Sequence, residues 1–143
     1  MGLKQIDHGT AEYQQMIELR NQVLRQPLGL SFKAEELLEE KEHILIAAFD
    51  EDEILGCCML CKVNDRTLRL RQMAVLNTVQ GKGIGASIMH FAENLALDKG
   101  FSSIIMHARD TAVGFYEKLG YKIEGDGFIE VNLPHHVMSK KLI

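Results

Sequence analysis

Residues 71–89, RQMAVLNTVQGKGIGASIM, hold the types and spacings that say most about chemistry. An extended run passes through a short polar loop to glycines at 81, 83 and 85, which open a segment of helical period. Such a junction turns several unpaired backbone N–H groups and the positive end of a helix dipole toward one point, a setting that favours a phosphate. Glycines let the anion approach the backbone closely, and Lys82 adds a charge. The Gly-x-Gly-x-Gly spacing differs from the Gly-x-Gly-x-x-Gly of a Rossmann turn, and the Lys-Ser/Thr pair of a P-loop is missing. Taken alone, the glycines read either as an anion site or as a plain capping loop.

The segments around this loop predict a mixed α/β domain. Residues 11–25 carry Tyr13, Met16, Ile17, Arg20, Val23 and Leu24 at helical spacing, ended by Pro27 and Gly29. Residues 34–42 read as a shorter helix whose glutamates form a solvated face. ILIAAF, an acidic turn at 50–53 and ILGCCMLCKV resemble a hairpin. TLRLRQMAV (67–75) follows as a third antiparallel strand, with Leu68, Leu70, Gln72 and Ala74 on one face. After Gly85, the stripe Ile84, Ile88, Phe91, Ala92, Leu95 predicts a helix ending near Lys99-Gly100. Residues 101–108 read as a buried strand. Asp110 is expected to cap a further helix through Leu119, with Phe115 and Tyr116 inward and Gly120 terminating it. Residues 121–124, 128–131 and 137–142 are the closing extended segments.

Composition bounds the function. At 143 residues the chain is one expected domain, 1–143, long enough to bury roughly 68–70% of its unfolded surface. A formal net charge of -4 argues against a nucleic-acid partner and suits a cationic amine. The opening MGLKQIDHGT has no apolar signal core and no run approaches the roughly 20 residues of a membrane span, so a cytoplasmic protein with no membrane partner is expected. Cys57, Cys58 and Cys61 lie in an apolar strand where neighbours point to opposite faces, which favours buried thiols over a metal site.

Three segments together carry a resemblance. Gln80, Gly83 and Gly85 match the Gln/Arg-x-x-Gly-x-Gly/Ala pyrophosphate motif of the GNAT superfamily of N-acetyltransferases. HARDTAVGFYEKLGY looks like its second signature, with an Ala-x-x-Phe-Tyr helix and a Leu-Gly-Tyr turn. The tail GDGFIEVNLPHHVMSKKL resembles a bacterial branch with Phe-x-Glu and Pro-His-x-x-Met. The resemblance is poorer before residue 44, where the acceptor pocket would be lined.

The resemblance implies a GNAT-like fold, a mostly antiparallel mixed sheet with flanking helices, and acetyl-CoA as co-substrate with no metal. It implies direct transfer in a ternary complex to the amine of a small molecule, or of a peptide; homodimers are common in the superfamily. Coenzyme contacts are then expected from Gln80, Gly81, Lys82, Gly83, Ile84, Gly85 and Ala86. Backbone groups for the pantetheine arm would come from Met73, Ala74 and Val75, on a strand that carries a bulge and splays from its neighbour. Tyr116 stands where the superfamily often places a general acid for the departing thiolate, though it also suits a core aromatic. Transfer to an ammonium-like acceptor needs a proton acceptor: Glu130 leads, with His135 or His107 as alternatives and water as another. Arg69 and Arg71 stay outside the expected site. The rival class is a non-catalytic acyl-CoA-binding regulatory or interaction module; an unrelated enzyme of phosphate ligands is a third.

Overall fold

A computed structural model describes residues 1–143. Seven strands form one sheet in the order β1-β2-β3-β4-β5-β7-β6. They are β1 (Gly2–Ile6), β2 (Ile44–Asp50), β3 (Glu53–Lys62), β4 (Thr67–Val75), β5 (Ser103–Arg109), β6 (Lys122–Glu130) and β7 (Leu133–Lys141). The β1–β2, β2–β3, β5–β7 and β6–β7 pairs are antiparallel, whereas β4 and β5 run parallel. The helices are α1 (Ala11–Arg20), α2 (Ala34–Glu39), α3 (Ile84–Asp98) and α4 (Val113–Lys118). No helix is long and apolar enough to cross a membrane.

The chain divides into two compact units. One comprises residues 1–61 and 72–92; the other comprises 62–71 and 93–143. In the first, Thr10 caps α1 by accepting the Tyr13 amide at 3.2 Å. Tyr13, Met16 and Leu19, at three-residue spacing, then pack with Ile6, Leu45, Ala47, Phe49, Cys57, Met59 and Ala74. A π-helical turn (21–25) and a 3₁₀ turn (26–28) extend α1 to Gly29, as the sequence pattern predicts. Strand β1 was not expected: Gly2, Lys4 and Gln5 are exposed and only Ile6 is buried, so the short run shows no strand alternation of its own and is held by pairing along β2.

In the second unit, β4 pairs with β5 only from Thr67↔Ser103 to Leu70↔Met106, although β4 continues to Val75. Helix α4 is shorter than expected, following a 3₁₀ turn at 110–112. Asp110 makes no capping bond; its carboxylate instead takes His136 Nδ1 at 2.7 Å. Phe115 points outward, 37% exposed, and Tyr116 inward. The Leu119-Gly120-Tyr121 turn closes α4 by bonds from the Gly120 and Tyr121 amides to the Glu117 and Tyr116 carbonyls, at 3.0 and 3.1 Å. Residues 121–124 and 128–131 join into β6, with a register shift between Glu124 and Phe128 where Gly125 turns to φ 76°.

Candidate active site

The glycine loop turns into the N-terminus of α3. A 3₁₀ turn at 77–79 leads to extended Gln80, then Gly81 at φ 82° and Gly83 at φ 80°, both in the left-handed region. A Cβ at either glycine would meet nothing within 4 Å, so the backbone conformation rather than crowding demands glycine there. Helix α3 starts at Ile84, and its first turn is closed by the Ser87 amide on the Gly83 carbonyl at 3.0 Å. The amides of Ile84, Gly85 and Ala86 therefore have no partner within the helix. Gln80 is occupied locally: its amide nitrogen donates at 3.0 Å to both the Val75 carbonyl and Asn77 Oδ1, tying the loop to the end of β4. Lys82 is exposed at the loop's tip.

The strand feeding this loop is distorted. Gln72 sits at φ 58°, a left-handed conformation costly for a residue with a side chain. Past it, Ala74 is buried, and Met73 and Val75 are half-buried. Strand β3 comes very close here. The Leu76 amide donates to the Leu55 carbonyl at 2.8 Å, and a Cβ on Gly56 would lie 3.1 Å from the Ala74 carbonyl oxygen and 2.8 Å from Ile88 Cδ1 of α3.

In the second unit the three candidate proton acceptors prove to be one cluster. His107 Nδ1 lies 3.4 Å and His135 Nε2 3.8 Å from Glu130 Oε2. Phe128 lies edge-on to His107 and stacks on His135, with ring centroids 5.1 and 5.8 Å away. His135 is buried, and its Nδ1 faces the Leu133 carbonyl at 2.8 Å. A carbonyl only accepts, so Nδ1 carries hydrogen and Nε2 is the nitrogen turned to Glu130. Arg69 NH2 lies 3.1 Å from His107 Nδ1, the same nitrogen that faces Glu130. Arg69 thus belongs to the cluster, although the sequence reading set it aside.

Tyr116 is buried beside two rings, Phe115 at 5.0 Å and Tyr121 at 5.8 Å. Tyr121 donates to Glu93 Oε2 at 3.0 Å. Lys140 bridges Glu93 Oε1 and the Leu119 carbonyl at 2.9 and 2.8 Å, fixing the helix end that carries Tyr116.

The profile of the family described as "Acetyltransferase (GNAT) domain" matches residues 10–142. The chain belongs to the GNAT acetyltransferases. This GNAT acetyltransferase is 33% identical over 107 residues to YjcF of Bacillus subtilis strain 168, described as an uncharacterized N-acetyltransferase, with 74% of each chain covered. Among solved structures it resembles an aminoglycoside 6'-acetyltransferase type Ii at 26% identity and TM-score 0.85, covering 100% of this chain and 98% of that one. An aminoglycoside 6'-N-acetyltransferase complexed with coenzyme A shares the fold at 22% identity and TM-score 0.86, over 100% and 98% of the two chains.

A buried ion pair in the first unit also escaped the sequence reading. Glu40, expected on a solvated face, is buried and accepts from Arg20 NH1 and NH2 at 2.7 and 2.6 Å and from the Tyr13 hydroxyl at 2.6 Å. Burial opposes the charge on Arg20, but the two Glu40 bonds outweigh it and hold the guanidinium above its ordinary range. Burial, then Glu40, pushes the Tyr13 phenol upward. The three cysteines are buried: burial raises Cys57 to about 12 and Cys58 well above the thiol range, so both remain protonated thiols at neutral pH. No group of three or more His, Cys, Asp or Glu is arranged to hold a metal ion.

Proposed function

We propose that residues 1–143 are a single N-acetyltransferase domain that moves the acetyl group of acetyl-CoA to the amine of a small molecule or peptide, directly and in a ternary complex. The observation that carries this reading is the loop at 80–86, where two left-handed glycines lead into first amides of α3 that have no partner within the helix, following a strand distorted at Gln72. The diphosphate is assigned to the amides from Gly81 to Ala86, with Lys82 adding charge and Gln80 bracing the turn. The pantetheine arm is assigned to the backbone of Met73, Ala74 and Val75. An N–H there, aimed at the thioester oxygen as it gains charge, contributes roughly 10²–10³ in rate.

The remaining steps are proton transfers. The amine must be neutral to attack; the Glu130–His135 pair, with His107 beside it, is assigned to accept its proton directly or through water. The new C–N bond forms and the C–S bond breaks as Tyr116 gives a proton to the leaving thiolate, and the second proton lost by the nitrogen as it becomes an amide returns through water to the phenolate. The net charge of -4 suits a cationic acceptor, and the cytoplasm is the assigned compartment.

Calorimetry with acetyl-CoA, followed by thiol-release assays across a panel of polyamines, amino sugars, amino acids and peptides, tests this. Binding with acceptor-dependent thiol release is expected. Binding without release for any amine would turn the reading toward a coenzyme-binding module, and absence of binding would end it.

A further inference from the structure

The left-handed backbone at Gln72 needs something to hold it, and the neighbouring strand places a side chain against it. Cys57 Sγ, on β3, lies 3.6 Å from the Gln72 carbonyl oxygen, to which its S–H donates. The Ala74 amide is directed at the same sulfur. One thiol thus ties the two backbone groups that flank Met73 and face β3. In an extended strand those groups and the ones on residues 73 and 75 point to opposite edges. With 72 and 74 held by Cys57, the Met73 N–H and C=O and the Val75 N–H are turned to the other edge. There, the β4 ladder with β5 has already ended at Leu70.

The environment of the sulfur keeps it in this role. Cys57 is fully buried and packs in the α1 cluster with Met59 and Ala74. Gly56, the preceding residue, lies against the Ala74 carbonyl on one side and against Ile84 and Ile88 of α3 on the other, so β3 touches both the bulge and the helix that follows the glycine loop. Serine offers a donor and acceptor at this position, alanine neither.

We infer that Cys57 is a positioning residue for the acyl donor: through the Gln72 carbonyl and the Ala74 amide, its thiol fixes the bulge that presents Met73 and Val75 to the pantetheine arm. The inference rests on the proposed donor, acetyl-CoA. It assigns Cys57 no contact with the coenzyme and no bond-making step.

The test compares two probes that share a diphosphate but not an arm: acetyl-CoA and 3'-phosphoadenosine 5'-diphosphate. For Cys57→Ala, calorimetry should show acetyl-CoA binding weakened about tenfold, as expected for about one lost backbone contact, with the armless probe changed less than twofold. Cys57→Ser should return acetyl-CoA binding to within about threefold of wild type. If the alanine protein does not fold by circular dichroism, Cys57→Val, which leaves no cavity and lacks the donor, takes its place. Equal loss for both probes, or no loss for acetyl-CoA, overturns the positioning role. A wild type that binds the armless probe but gains nothing from the arm also overturns it. A wild type that binds neither probe overturns the donor assignment itself, and the inference with it.

Discussion

Glu40→Ala removes the only carboxylate bonded to a guanidinium that has no solvent exposure. The Arg20 side chain is 0% exposed and that of Glu40 7%; both Arg20 terminal nitrogens are spent on Glu40, and Arg20 Nε has no partner. Deleting one partner of such a pair leaves an uncompensated buried charge and costs about 3–5 kcal/mol. The Tyr13 hydroxyl loses its 2.6 Å acceptor as well. Against a total stability of about 5–15 kcal/mol, the loss should lower the melting temperature by roughly 10 °C and move the urea midpoint without changing the slope. The double substitution Arg20→Met with Glu40→Leu removes both charges and keeps much of the volume, so it should recover most of the loss. Urea unfolding followed by circular dichroism, run on the wild type, Glu40→Ala, Arg20→Met, Glu40→Leu and the double variant, measures the cost and the coupling. A cost below about 1 kcal/mol for Glu40→Ala, or a double variant no more stable than the single, would refute the reasoning.

Four other outcomes follow from the same geometry. The raised Cys57 and Cys58 thiols favour folding fully below the unfolded value of 9.0, and that contribution is lost as pH rises, through about 12 for Cys57. Wild-type stability should therefore fall above pH 9 by about 1.4 kcal/mol per pH unit more than that of Cys57→Val in urea titrations. Gly56→Ala places a methyl 2.8 Å from Ile88 Cδ1 and 3.1 Å from the Ala74 carbonyl, and should cost about 1–3 kcal/mol of stability in the same assay. Once an acceptor is known, Tyr116→Phe should bind acetyl-CoA normally and lose roughly 10²-fold or more in turnover, while Glu130→Gln should move the pH–rate profile; normal turnover or an unmoved profile would remove the respective role.

The parts legible in the sequence were those set by local chemistry. Glycines at 81, 83 and 120 mark backbone turns because the residue type itself permits them, and the apolar runs at 44–49 and 54–63 announce strands by composition. The parts that were not legible depend on partners distant in sequence. Glu40 looks like its exposed neighbours until Arg20 closes on it, twenty residues away. Strand β1 has no pattern of its own and takes its structure from β2. Arg69 becomes part of the His107–Glu130–His135 cluster only because β4 and β5 pair in parallel, with Arg69 opposite Ile105, and His107 two residues farther along. The bulge entered through family resemblance alone; nothing in the residue type of Gln72 signals φ 58°.

The central claim is that the amides from Gly81 to Ala86 hold the diphosphate of acetyl-CoA, and a titration followed by backbone amide NMR tests it most directly. Saturable shifts largest at Gly81–Ala86, extending to Met73 and Val75 only with the full coenzyme and not with 3'-phosphoadenosine 5'-diphosphate, are expected. Unmoved loop amides at saturating acetyl-CoA, or shifts confined to another part of the chain, would contradict it.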